Sequence, residues 1–333
     1  MPGSEIDKKA AAKERFLKKY DNIKLRKDLD LVEKRIPDFW ENVEEIRKHY
    51  EKSISSYKST LSDIIDSISH ADMDKPVIHS IRYRIKDADS LIVKIIQKSA
   101  KVPESPQGNA EIEKYRNLTK DNYYKIITDL IGIRILIRYR YQWKSVHSLV
   151  WKLFKSEEHE YIEDWITEYQ NDRAVKYIVE QPKAYVKQIS DRAVYEEIGK
   201  NIFDIRDSDN HYASLHYIIN VGGCYCELQV RTIFDEAWCE CNHDFVYKAH
   251  IKSQQAKNTL ERLSVILSQH TTAAESIVAL MCDLATSPPS RKKSTPIETV
   301  STSDVKNQEK VFTSIQKRAT HLSQSDMPDN YLM

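Results

Sequence analysis

Apolar positions through the N-terminal part of the chain recur at three- and four-residue spacing. Leu29, Leu31, Val32 and Ile36 lead up to Pro37, and Trp40, Val43, Ile46 and Tyr50 follow it. The spacing predicts helices over 10–69, forming a helical packing unit. Pro76 punctuates, and the short apolar stretch from Val77 to Ile85 predicts a strand. Asp87 reads as the N-cap of a helix through Ser99, with Leu91, Ile92, Ile95 and Ile96 on its core face. Pro103, Pro106 and Gly108 predict a loop.

The pattern then changes period. Asp129 to Tyr139 (DLIGIRILIRY) is a near-continuous β-branched run, which predicts a buried strand. Trp143 to Phe154 returns to helical spacing, and the elements of 155–205 stay open. The clearest local structure is Ser214 to Arg231, where Gly222-Gly223 separates two alternating runs. That is a hairpin with a two-residue turn. Counting outward from the turn pairs Val221 with Cys224, Ile219 with Cys226, Tyr217 with Leu228 and Leu215 with Val230, all on one apolar face. The other face pairs Asn220 with Tyr225, Ile218 with Glu227, His216 with Gln229 and Ser214 with Arg231. A one-residue slip would bury the charged set, so the register is firm. A helix follows near Phe234 to Ala249, and helical character continues from Ser253 to Leu284. After Pro288-Pro289 the composition turns to Ser, Thr, Lys and Gln, and 286–333 reads as a disordered tail.

Composition narrows the function classes. Lys plus Arg number 51 against 50 for Asp plus Glu in 333 residues, so the chain is no general nucleic-acid coat. Mean hydropathy is −0.59, no run approaches about 18 apolar residues, and the N-terminus lacks the apolar core of a signal peptide. These features predict a cytoplasmic protein with no membrane association. Only 6 residues are glycine, and no GxGxxG or GxxxxGK[ST] loop exists. Five cysteines, an odd number, argue against a disulfide scaffold. Cys224, Cys226, Cys239 and Cys241 form two C-x-C pairs, which raises zinc. However, the first pair lies on the apolar hairpin face, and the second falls on a predicted helix, where i and i+2 point about 200° apart.

Three sets of residues carry candidate chemistry. Glu227, Gln229, His216 and Arg231 share the polar hairpin face. Asp129 heads the central strand, so two carboxylates could share a divalent metal bound to nucleotide phosphates. Arg84, Lys86, Ser90 and Lys94 form a basic set; the last three share one side of the helix start, where a phosphate can bind.

Four segments, in order, resemble the synthetase domain of the RelA/SpoT alarmone family. They are Arg84-Ile85-Lys86 with Ser90 and Lys94 (RxKxxxSxxxK), Asp129 to Arg134 (DxxGxR), Tyr212 to His216 (YxSLH), and Glu227 to Thr232 followed by Ala237-Trp238, His243 and Tyr247-Lys248. The resemblance spans about 20–285 and divides the chain into a helical region (1–75), a synthetase domain (76–285) and the tail (286–333). It implies an α+β fold: a nucleotidyltransferase-like mixed β-sheet flanked by helices, with helical additions at both ends. It also implies transfer of the β,γ-diphosphate of ATP to the 3′-hydroxyl of GDP or GTP, giving (p)ppGpp and AMP. By the match, Arg84, Lys86, Ser90, Lys94 and Arg134 serve ATP. Asp129 and Glu227 hold Mg²⁺, with Glu227 helping to deprotonate the hydroxyl. Tyr212 stacks on the acceptor guanine, and Ser214, His216, Gln229 and Arg231 shape its pocket.

Two stretches depart from the family pattern. His211 stands where the family commonly has Gly, and Asp207-Ser208-Asp209-Asn210 stands where many alarmone-making members carry lysines. Two aspartates there would repel a diphosphate, which keeps open a second reading: a toxic relative that pyrophosphorylates the 3′ CCA end of tRNA. A third reading is a catalytically silent nucleotide-binding protein. His243-Asp244, the single His-Asp dipeptide, falls inside the synthetase match, so no hydrolase domain is expected. A homo-oligomer is compatible with all three readings.

Overall fold

The computed structural model describes residues 13–20, 23–71, 77–103, 105–154, 176–187, 190–199, 202–208, 212–247 and 253–286. The expected tail beyond 286, the loop positions Asp209, Asn210 and His211, and Lys248 lie outside the described residues.

Residues 13–19 are helical, and two longer helices, α1 (Ile23–Arg35) and α2 (Phe39–Ser69), follow, with the break at Pro37. Proline lacks the amide that would continue the first helix. The buried residues of α2 include Trp40, Val43, Ile46, Tyr50, Tyr57, Leu61, Ile64 and Ile68, an i, i+3, i+4 stripe. Truncating fully buried Ile64 to Ala would cost about 2–5 kcal/mol.

The sheet begins with β1 (Ile78–Ile85), which runs into α3 (Ala88–Ala100). The Asp87 side chain caps α3 by accepting from the Ser90 amide at 3.0 Å. The expected loop around Pro106 is instead a helix, α4 (Pro106–Arg116). Ser105 caps it through the Gly108 amide, and Pro106 occupies the first turn, where a missing amide costs nothing. A single turn, α5 (Tyr123–Ile126), precedes β2 (Ile131–Ile137). The strand therefore starts two residues after Asp129, which lies in the turn ahead of it. Then follow α6 (Trp143–Phe154), β3 (Lys176–Ile178), β4 (Lys183–Val186), α7 (Ser190–Glu196) and β5 (Asp204–Asp207). The hairpin is β6 (Ser214–Val221) with β7 (Cys224–Thr232). It leads into α8 (Ile233–Asn242), capped by Thr232, and a π-helical turn (His243–Tyr247). The expected single helix to Ala249 thus changes its winding at His243. The last described element is α9 (Gln254–Thr286).

The strand order is β1-β2-β7-β6-β4-β5, with β3 also on β6. β2–β7 and β4–β5 are parallel and the remaining pairs antiparallel, giving a mixed sheet flanked by helices. The hairpin has the register counted from its turn, from Val221↔Cys224 through Leu215↔Val230. Gly222 and Gly223 both have positive φ (58° and 81°), the left-handed conformation this turn needs. One sheet face (Ile131, Ile133, Ile135, Cys226, Leu228, Val230, Leu215, Tyr217) is buried in the core. Cys226 is filler there, and all five cysteines are free thiols.

Candidate active site

Register places the functional side chains. Arg84 pairs with Gly132, Gly132 with Glu227, Arg134 with Gln229, and Gln229 with His216. His216 pairs in turn with Lys183, and Ser214 with Tyr185. Side chains of paired residues share a face, so five strands present one polar surface opposite the core.

On its β1–β2 side, cations surround one carboxylate. Lys86 Nζ lies 2.7 Å from Asp129 Oδ2, and Lys94 Nζ lies 2.8 Å from Oδ1. Lys86 belongs to the β1–α3 connection and Lys94 to the second turn of α3, so the carboxylate ties strand to helix. Burial pushes Asp129 up, but Lys94 and Lys86 outweigh it and hold the carboxyl below its usual value. Burial, helped by Lys94 and Arg84, pushes Lys86 below the usual lysine value despite Asp129. Arg84 is exposed, and no hydrogen bond or ion pair engages its guanidinium among the described residues. Its side chain passes over Gly132, where an added Cβ would meet the Arg84 stem at 3.5 Å. Three cations against one carboxylate leave this half positive. Ser90 is at the same end of α3, its amide committed to the Asp87 cap.

On the β6–β7 side, five side chains close a ring of hydrogen bonds. Arg231 Nη2 donates to Tyr212 Oη at 2.6 Å and to Gln229 Oε1 at 2.5 Å. Gln229 Nε2 donates to Glu227 Oε2 at 2.8 Å. Glu227 Oε1 is 3.3 Å from His216 Nδ1, and His216 Nε2 is 2.7 Å from Tyr212 Oη. Because Tyr212 Oη already accepts from Arg231, its proton goes to His216 Nε2. The neutral imidazole then carries its proton on Nδ1 and donates it to Glu227. The protonation fits the environment: burial holds His216 below the usual imidazole value against the pull of Glu227. Burial would raise Glu227, yet the His216 N–H and the Lys94 charge keep it below its usual value. Asp129 acts on it in the opposite sense, so the two carboxylates sense each other across β2 and β7. Burial lifts the Tyr212 hydroxyl to about 12. The Arg231 guanidinium lies 4.9 Å from the Tyr212 ring centroid, and the Tyr185 ring meets Tyr212 edge-on at 5.6 Å.

Ser214 is buried and donates to the Val230 carbonyl. Arg134 lies on the same face as Arg84, but its guanidinium donates to Glu236 (2.9 Å) and Glu240 (3.1 Å) of α8. Glu236 also accepts from Arg231 Nη1 at 3.0 Å, so one buried carboxylate anchors two arginines of the face. The sequence reading passed over Glu236, Glu240, Arg82, Lys183 and Tyr185. Arg82 is two residues before Arg84, Lys183 and Tyr185 alternate along β4, and Glu236 and Glu240 are i, i+4 on a helix. These spacings were the available signals. Of the departing stretch, Asp207 is paired with Arg192 at 2.8 Å, and Arg206 with Asp204 at 2.6 Å. His243 and Asp244 are exposed, 3.7 Å apart. No group of three or more His, Cys, Asp or Glu side chains that could hold a metal ion occurs among the described residues.

Residues 83–252 match the family described as the region found in RelA / SpoT proteins. Among curated proteins none matches the sequence. Solved structures similar to this chain include the small alarmone synthetase 1 from Bacillus subtilis bound to its product pppGpp. That match has 16% identity and a TM-score of 0.39, covering 72% of this chain and 95% of that one. A GTP pyrophosphokinase family protein from Streptococcus pneumoniae matches at 15% identity and a TM-score of 0.42, covering 73% of this chain and 93% of that one. The family match takes in both halves of the polar face, from Arg84 to Tyr247, and the chain belongs to the RelA/SpoT family.

Proposed function

We propose that the polar face transfers the β,γ-diphosphate of ATP to the 3′-hydroxyl of GDP or GTP, releasing AMP and (p)ppGpp. The observation that carries this reading is the excess of cations beside Glu227. Lys86 and Lys94 hold the Asp129 carboxylate, and Arg84, which acts on Lys86, has a guanidinium that nothing engages among the described residues. Such a cluster is stabilised by a polyanion, and a guanidinium fork matches phosphate oxygens.

In the reaction the 3′-oxygen attacks the β-phosphorus of ATP in line with the bond to the α-phosphate oxygen. That bond breaks, AMP leaves with its electron pair, and the hydroxyl proton goes to Glu227. The carboxylate is already ionised and oriented by Gln229 and His216, so it accepts the proton without first reorganising. Tyr212 offers the guanine a flat ring whose position Arg231, His216 and Tyr185 fix. Arg84, Lys86 and Lys94 offset the charge that builds on the phosphates.

Magnesium suits this donor set as an ion that arrives with the nucleotide. It takes one or two carboxylates plus phosphate oxygens, and Asp129 and Glu227 are hard oxygen donors close enough to feel each other's charge. When bound, it would supply charge neutralisation on the diphosphate.

The Arg192 pairing of Asp207 supports a guanosine nucleotide as acceptor, because it offsets one of the two charges that would repel a diphosphate. Glu227→Gln tests the assignment. The expected outcome is a loss of about 10²–10⁴-fold in turnover, with an unchanged circular dichroism spectrum and retained ATP binding. Turnover at the parent rate would remove Glu227 from the chemistry.

A further inference from the structure

Glu236 is a carboxylate buried against the arginines of the polar face. It is 3% exposed, and a charge that deep is costly unless it is paired. Oε1 accepts from Arg134 Nη1 at 2.9 Å and lies 3.5 Å from Arg82 Nη1. Oε2 accepts from Arg231 Nη1 at 3.0 Å. One oxygen thus holds an arginine of β2 and the other an arginine of β7.

The start of α8 keeps that carboxylate in place. Thr232 ends β7 and caps α8, its hydroxyl accepting from the Asp235 amide at 3.0 Å. Asp235 is itself buried and pairs with Lys187 at 2.5 Å and Arg140 at 3.2 Å. The first turn of α8 is therefore tied to the residues that follow β4 and β2. Glu240, one turn further on, shares Arg134 at 3.1 Å and Arg82 at 3.3 Å. Among the described residues it pairs with no other arginine of the face.

The two arginines serve different halves of the face. Arg134 is two residues from Gly132 on β2, on the side over which the Arg84 stem passes. Its Nη1 is committed to α8, while Nε and Nη2 make no hydrogen bond among the described residues. Those donors remain for a nucleotide. Arg231 spends Nη2 on Tyr212 and Gln229, so its position sets that of the ring. Without a carboxylate between them the two guanidinium groups repel each other.

We propose that Glu236 is a positioning residue shared by both substrates. Its Oε1 sets Arg134 for ATP, and its Oε2 sets Arg231, and through it Tyr212, for the acceptor. This role rests on the diphosphate transfer proposed above and extends it to a residue that touches neither nucleotide.

Calorimetric titration of the full chain reads the two halves separately. The ligands are GDP and an ATP analogue with a methylene group between the α- and β-phosphates. Glu236→Ala should weaken both by about ten-fold or more, as misplaced contacts do. Formate, a carboxylate small enough for the vacated space, should recover part of each affinity in that variant and change neither in the parent. A merely structural role would show no such recovery. Glu240→Gln should weaken the ATP analogue alone, and by less, because Glu236 still holds Arg134. Glu236→Gln keeps the side-chain volume and guards against a misfolded alanine variant. An amide has a single acceptor oxygen, so it should hold one arginine and weaken one nucleotide more than the other.

Unchanged affinity for either nucleotide in folded Glu236→Ala would overturn the proposal. So would unchanged affinity for both in Glu236→Gln, or equal weakening of both in Glu240→Gln. A parent that binds both nucleotides yet transfers no label would defeat the reaction and leave these affinities to decide the role of Glu236. A parent that binds no GDP would overturn both.

Discussion

The two halves of the polar face solve opposite problems. Around Asp129 the structure holds three cations near one carboxylate and leaves Arg84 unengaged among the described residues. Around Tyr212 five side chains satisfy one another in a closed ring. The first half is electrostatically incomplete and is completed by an anion. The second is closed by hydrogen bonds, with only the buried Arg231 Nε left unpartnered among its ring members, and offers a flat ring and an oriented carboxylate. On the proposed reading, charge imbalance marks the place for phosphates, and the hydrogen-bonded ring marks where geometry is prepared. The molecule also holds a control. His147 Nδ1 lies 2.8 Å from Tyr217 Oη on the core side of the same sheet, and burial alone lowers His147 to about 4. A tyrosine–histidine pair is therefore no sign of a site by itself; the neighbouring Glu227 and Arg231 make the other pair one.

Removing the carboxylate from the cationic half should have the largest effect on stability. Asp129→Asn leaves two largely buried lysines without their partner, a change that costs about 3–5 kcal/mol for a buried pair. Urea denaturation checks it. The Asp129 carboxyl is held below its usual value when folded. Its contribution is thus fully present above about pH 4, where the unfolded carboxyl is also ionised, and is lost as pH falls through the lower folded value. The stability gap between parent and variant should close at acid pH; a gap constant from pH 7 to pH 2 would show that the ion pair is not its source.

Arg84→Ala should separate function from stability. The guanidinium makes no hydrogen bond or ion pair among the described residues, so thermal stability should be unchanged. A lost charge-assisted contact, about 1.5–3 kcal/mol, should lower kcat/KM for ATP about ten- to a hundred-fold with acceptor KM unmoved. A large loss of stability would show Arg84 to be structural. Tyr212→Ala sharpens the other half. Loss of stacking, about 1–3 kcal/mol per base, should raise acceptor KM about five- to a hundred-fold and leave ATP KM alone. Equal weakening of both substrates would dissolve the division between the halves.

How legible each feature was depended on the range of its interactions. The hairpin register followed from two glycines and strict alternation, because a turn fixes its own strands. Asp87 as a cap and the helix over Trp143–Phe154 followed from local pattern for the same reason. Pro106 misled, because proline opens helices as readily as it breaks them. The anchoring of Arg134 and Arg231 on Glu236 was hidden, since it joins residues about a hundred positions apart in one case and crosses from strand to helix in both. Lys183 and Tyr185 lay in a polar stretch with no period of its own, and their partnership comes from pairing with β6.

Purified protein with Mg²⁺, ATP labelled on its γ-phosphate, and GDP, GTP or deacylated tRNA offered separately gives the most direct test. The account predicts label on the guanosine nucleotide, stoichiometric AMP, and both slowed by about 10²–10⁴-fold with Glu227→Gln. Label on tRNA alone, or no transfer from a folded protein that binds ATP, would contradict it.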